Sequence, residues 1–183
     1  IKVNMQLNNQ IQENLRNNSP WQSFLSNYQE WFTYFNEYNY KPHRAFGSPI
    51  LLSNGYSSEE RFLSFVNSNL NDFNIPQDII LSRKTENDKY INLDFTQYYN
   101  NLEIIDSRIY AKLTLDSKLV AFGLDVFSDI SLDIIPTISE SMAIESASDN
   151  IISSITKKSV EDDLKILPSP YNGKYDYHLV YVV

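Results

Sequence analysis

The chain has 183 residues with 42% hydrophobic and 14% aromatic content, enough apolar surface for a sizeable core in one large domain or two small ones. Fifteen Lys and Arg stand against 23 Asp and Glu, a net charge of −8 that argues against nucleic acid and anionic membranes as partners. There is no cysteine, which excludes disulfides, thiolate catalysis and cysteine-ligated zinc.

Residues 1–18 are polar and asparagine-rich. Ile1, Val3, Met5 and Leu7 alternate with polar residues, so the segment reads equally as a short strand or a loose arm. Ser19, Pro20 and Gln22 form a helix start, with Ser19 as the expected cap and Trp21, Phe24, Leu25 and Tyr28 on one face. The aromatic run that follows reads at either period. Pro42 discourages helix just before it, which favours a strand over about 30–37. A second helix is capped by Ser57, with Glu60 completing the capping box and Phe62, Phe65, Val66, Leu70 and Phe73 as its stripe; Pro76 ends it.

From Ile79 the period becomes two. Ile91, Leu93 and Phe95 alternate with polar residues, and Ile105, Ile109, Ala111, Leu113 and Leu115 share a face. A turn at Asp116 and Ser117 leads to a return strand with Val120, Phe122, Leu124 and Val126 inward. Alternation of this kind predicts an antiparallel meander with one wet face. Ser139 caps a third helix with Met142, Ala143, Ala147, Ile151, Ile152 and Ile155 inward. A hairpin through Asn172 and Gly173 closes the chain, with Tyr175, Tyr177, Leu179, Tyr181 and Val183 on one side. The expected fold class is α+β, with antiparallel sheets and packed helices in two small subdomains.

Catalytic patterns do not emerge. His43 and His178 lie 135 positions apart, no His-Glu-x-x-His helix or Gly-x-Ser-x-Gly elbow occurs, and the four glycines are scattered. The acidic pairs Glu59-Glu60 and Asp162-Asp163 fit helix starts and turns better than acid–base work. Residues 41–50 are the most unusual segment, combining Lys41, His43, Arg44, Phe46 and Gly47 with two prolines in ten positions. Arg44 there reads either as a bidentate grip on a partner's carboxylate or as half of an internal ion pair that ties down a rigid connection.

Residues 95–109, with Gln97 and Tyr99 as a Gln-x-Tyr element, a turn at Asn100 and Asn101, and an apolar strand beyond, resemble the fungalysin/thermolysin propeptide (FTP) motif. Asp116-Ser117 stands at its hairpin and Gly123 in the return strand. Pro136, Ser139, Ala143 and Ala147 look like the start of an adjoining PepSY-type domain, and the closing strands through Leu167 and Tyr181 are similar to those that finish such pro-regions. The resemblance covers residues 41–183 and departs from the family at the turn, where Asn100-Asn101 replaces the usual Gly; Asn tolerates the left-handed conformation.

The resemblance implies an arm, helix and strand over 1–40, an FTP-like subdomain over 41–135 and a PepSY-like subdomain over 136–183. It implies a non-catalytic, cofactor-free pro-region that assists folding of, and inhibits, a linked secreted metalloprotease domain. The setting would be secreted or extracellular, the signal peptide having been removed, without membrane insertion. Partner contact is expected at Arg44, Tyr98, Tyr99 and Tyr181, since Tyr and Arg are enriched at binding hot spots. A stand-alone inhibitor acting in trans and a cell-surface binding module are the alternatives; an enzyme of another kind is the weakest reading.

Overall fold

The computed structural model describes residues 7–53, 55–149, 159–160 and 164–183. It is an α+β fold that divides into two compact units, Ile1–Gln97 with Ser107–Ser128, and Tyr98–Asp106 with Asp129–Val183. The segment 1–40 falls inside the first unit.

The first unit opens with α1 (Asn9–Arg16), a helix where a strand or loose arm was expected. Asn8 caps it, accepting from the backbone N–H groups of Gln10 and Ile11. Its anchor is polar. The Gln12 side chain is buried, donates from Nε2 to the carbonyl of Phe35 (2.9 Å) and accepts at Oε1 from the Phe35 N–H (2.9 Å). Helix α2 (Ser19–Asn27) starts one residue earlier than expected, because Asn18 rather than Ser19 accepts from the Trp21 N–H. It buries Trp21 and Phe24. Helix α3 (Ser58–Asn69) has the expected capping box of Ser57 and Glu60. A short 3-10 turn over Asn71–Phe73 follows it.

These helices lie on a sheet of β1 (Trp31–Phe35), β2 (Pro42–Leu51), β3 (Ile79–Glu86), β4 (Tyr90–Tyr99), β6 (Arg108–Thr114) and β7 (Lys118–Asp125), ordered β1-β2-β7-β6-β4-β3 with antiparallel pairings. Ile109, Ala111 and Leu113 of β6 and Leu93 and Phe95 of β4 alternate inward as the period of two requires. One phase error is corrected in β7. A bulge beside Lys112 and Leu113 sets Leu113 opposite Leu119, so Leu119 rather than Val120 enters the core, while Phe122, Leu124 and Val126 keep their expected places. Leu115, expected on the inner face, is half exposed in the turn.

The second unit contains β5 (Leu102–Glu103), α4 (Glu140–Ser148), β8 (Lys165–Tyr171) and β9 (Lys174–Val180). Tyr98 and Tyr99 pair with Glu103 and Leu102 around a turn in which Asn100 and Asn101 take φ of 48° and 65°. Ser139 caps α4 as expected, but of its proposed inner residues only Ala143 is buried; Met142 and Ala147 are exposed, and Ile151, Ile152 and Ile155 lie outside the described residues. The hairpin β8–β9 turns at Asn172 and Gly173. It carries Pro168 and Pro170 inside β8. The Ile105 N–H donates to the Ile166 carbonyl from the side away from β9, so residues of that parity direct their backbone polar groups outward, where a proline nitrogen interrupts no ladder bond.

Candidate binding face of the first unit

The helices cover one side of the first unit's sheet. The other side is where its charged residues collect. Register places Phe32 and Tyr34 of β1, Arg44 and Phe46 of β2, Ala121, Gly123 and Asp125 of β7, Arg108, Tyr110 and Lys112 of β6, and Asn92 and Asp94 of β4 on this outer face. An open cleft of about 400 Å³ runs among them, lined by His43, Arg44, Phe46, Asp94, Arg108 and Tyr110 together with their neighbours.

Its floor is fixed by Asp94, which is 7% exposed and held from two sides. Arg83 donates to Oδ2 from Nε (2.9 Å) and Nη2 (2.8 Å), while Arg108 donates to Oδ1 from Nε (2.6 Å) and Nη2 (2.5 Å). Charge-assisted contacts of this kind hold planar groups in one orientation. The Arg108 guanidinium also lies 4.9 Å from the centre of the Tyr110 ring, and the Lys112 ammonium 3.9 Å from that of Tyr90. Burial pushes the Tyr110 phenol up, against a smaller downward pull from the Arg44 guanidinium beside it. Gly123 opposite Tyr110 is a steric requirement. A Cβ there would meet the Tyr110 ring and the His43 carbonyl oxygen, so the missing side chain is what lets the ring lie flat on the sheet.

His43 closes the cleft at β2. Its Nδ1 stands 2.8 Å from Asp125 Oδ2 and 3.0 Å from Oδ1. The hydrogen bond to Asp125 raises the imidazole above its ordinary 6.5, with burial and the cations Arg44 and Arg108 working against it. A histidine raised in the folded state adds stability below about pH 6.5 and loses that contribution as pH rises through the raised folded value. The His43 side chain is 61% exposed, so the pair is worth no more than about 1 kcal/mol. An NMR titration of the His43 ring is therefore expected to give a midpoint above 6.5 that falls in Asp125→Asn. A midpoint at or below 6.5 in the unaltered chain contradicts the pairing.

Of the residues expected to contact a partner, Arg44 sits in this cleft. It is exposed, and no ion pair joins it to a carboxylate among the described residues, so the internal tie expected as one of its two roles is absent there. The histidine beside it pairs with a carboxylate, that of Asp125, instead. Tyr98, Tyr99 and Tyr181 belong to the second unit, where each is partly buried; the Tyr181 hydroxyl donates to the Ile138 carbonyl (3.3 Å). Tyr177 in the same unit donates to Asp129 (3.2 Å), and its phenol is pushed up by burial and by that carboxylate. His178 is exposed as expected, Glu59 is drawn down to about 2 chiefly by Lys84 (2.9 Å), and Asp162 and Asp163 lie outside the described residues. Among the described residues no group of three or more His, Cys, Asp or Glu side chains is placed to hold a metal ion, and no helix is long and apolar enough to cross a membrane.

No family model matches the chain, and no curated protein matches it. Among solved structures, the chain is similar to the Bacillus megaterium YpeB C-terminal domain, 11% identical, with a TM-score of 0.39 over 96% of this chain and 85% of that one. What the face can do therefore follows from its own geometry. It offers a polar, cation-rich concavity beside exposed aromatics, which suits recognition of a charged group.

Proposed function

We propose that this chain is a non-catalytic pro-region that assists folding of, and restrains, a linked secreted metalloprotease domain. The observation that carries the reading is the stretch 95–109. Its Gln97 is 2% exposed and bonded to backbone through both ends of the amide, and the tight left-handed turn at Asn100 and Asn101 fixes Tyr98 and Tyr99 in a short hairpin. The Gln-x-Tyr element thus ties the end of β4 to the Phe127 backbone and leads into the hairpin, which supports the reading. The FTP and PepSY assignments and the extracellular setting belong to the same reading.

Such a module works by binding the folded protease, or its folding transition state, more tightly than the unfolded chain, which stabilises it by mass action. Covalent linkage sets the effective concentration, in the millimolar range for a short flexible connection. A denatured thermolysin-type catalytic domain refolded with an equimolar amount of this chain is expected to recover in higher yield and to stay inactive until the chain is digested. Unchanged yield and unchanged activity would falsify the reading. The open cationic face around Arg44 also suits a stand-alone binding module; that alternative gives inhibition without a gain in refolding.

A further inference from the structure

The cations of the outer face differ in how they are occupied. Arg83 and Arg108 are committed to Asp94, Lys112 covers Tyr90, and Arg16 lies 5.1 Å from the centre of the Phe32 ring. Arg44 is hydrogen-bonded by its side chain to the Tyr110 phenol but has no carboxylate partner among the described residues. The face as a whole carries Arg44, Arg83, Arg108 and Lys112 against Asp94 and Asp125, a local cationic surplus on a chain whose net charge is −8. A concave patch of reversed sign focuses field and favours an anionic visitor. Next to Arg44 lies an exposed aromatic platform: Phe32, Tyr34 and Phe46 are 39%, 41% and 43% exposed, with the Phe32 ring 5.1 Å from Tyr34 and 5.9 Å from Phe46.

We propose that the outer face of the first unit's sheet is the docking surface for an acidic peptide segment of a partner protein, with one carboxylate gripped by Arg44 and an adjacent apolar side chain lying on Phe46 and Phe32. The planar guanidinium matches a carboxylate bidentately, and the rings supply contact area at little entropic loss. Asp94 and Asp125 make the class specific. Two carboxylates in the cleft leave too small a cationic surplus for a phosphate polymer, whose affinity depends on neutralising many charges. That the partner is a protease rests on the pro-region reading; the chemistry of the contact does not.

The test is an NMR titration of the isotope-labelled full chain, following backbone and arginine side-chain N–H signals. The probes are two synthetic peptides, acetyl-Ala-Asp-Glu-Leu-Glu-Ala-amide and the same peptide with Asn and Gln in place of Asp and Glu. The acidic peptide is expected to shift Arg44, Phe46 and Tyr110. The carboxamide peptide, having lost its charge-assisted bonds, is expected to bind about tenfold more weakly. Arg44→Gln should weaken the acidic peptide by a similar factor while leaving the spectrum folded, and Arg44→Lys, which keeps charge but loses the fork, should fall between. Equal binding of both peptides, shifts centred elsewhere, no shifts at millimolar peptide, or equal displacement by inorganic phosphate would each overturn the proposal. Peptide binding without any effect on metalloprotease refolding would sink the pro-region reading alone; refolding assistance that survives Arg44→Gln, with no peptide binding, would sink this one alone.

Discussion

Phe24→Ala is expected to destabilise the first unit by about 3–5 kcal/mol, the range for deleting a fully buried phenylalanine. Phe24 is 2% exposed and stands at the meeting point of four elements. Its ring centre lies 5.0 Å from those of Trp21 and Tyr28, 5.7 Å from Trp31 and Phe122, and 6.5 Å from Phe65. Several of these contacts are edge-to-face, each of which adds about 0.5–1.5 kcal/mol beyond area burial. Alanine would leave a cavity walled by rings that cannot collapse without leaving their rotamers. Trp21 and Trp31 are the chain's two tryptophans, and both belong to the first unit, so fluorescence reports on that unit's unfolding. In urea, the midpoint should drop sharply with the slope retained, while Phe32→Ala on the exposed face should move it little. A loss below about 1 kcal/mol for Phe24→Ala would mean that the core closes without it.

Phe24 was legible in the sequence because it obeys a period. The same holds for the α3 capping box, the Ser139 cap and the alternation of β4 and β6, where local chemistry and tertiary burial agree. Helix α1 was not legible, since its buried contact is made by Gln12, a polar residue invisible to any hydrophobic pattern. Leu119 was misplaced because a bulge changes the phase of β7 relative to β6 and leaves no mark in the strand's own composition. At the candidate site, Arg44 stood out through its neighbours Pro42 and Gly47. Its surroundings did not. Asp125 is 82 positions from His43, and Asp94 draws its two arginines from 11 and 14 positions away, so only strand register brings these charges together. Gly123 reads as a weak point in a strand until register sets it opposite Tyr110.

Register also explains the polar residue on which the end of the sheet depends. Gln97→Ala is expected to cost about 2–4 kcal/mol, although it removes no apolar core group. Gln97 Nε2 donates to the Phe127 carbonyl (2.6 Å), and its Oε1 accepts from the Phe127 N–H (2.8 Å), so the side-chain amide stands where a neighbouring strand's backbone would. Phe127 is 5% exposed, and truncation removes both of these hydrogen bonds from its buried backbone at about 1–3 kcal/mol each. Gln97→Glu separates hydrogen bonding from packing. The carboxylate keeps the bond from the Phe127 N–H but sets an unprotonated oxygen against the carbonyl, and protonation restores a donor there. Its folded-state pKa is thus raised above the unfolded value, so the variant should be weak at neutral pH and recover as pH falls. Hydrogen exchange at the Phe127 amide distinguishes the two variants. Its protection should collapse in Gln97→Ala and persist in part in Gln97→Glu, and undiminished protection in Gln97→Ala would show that the backbone finds another partner.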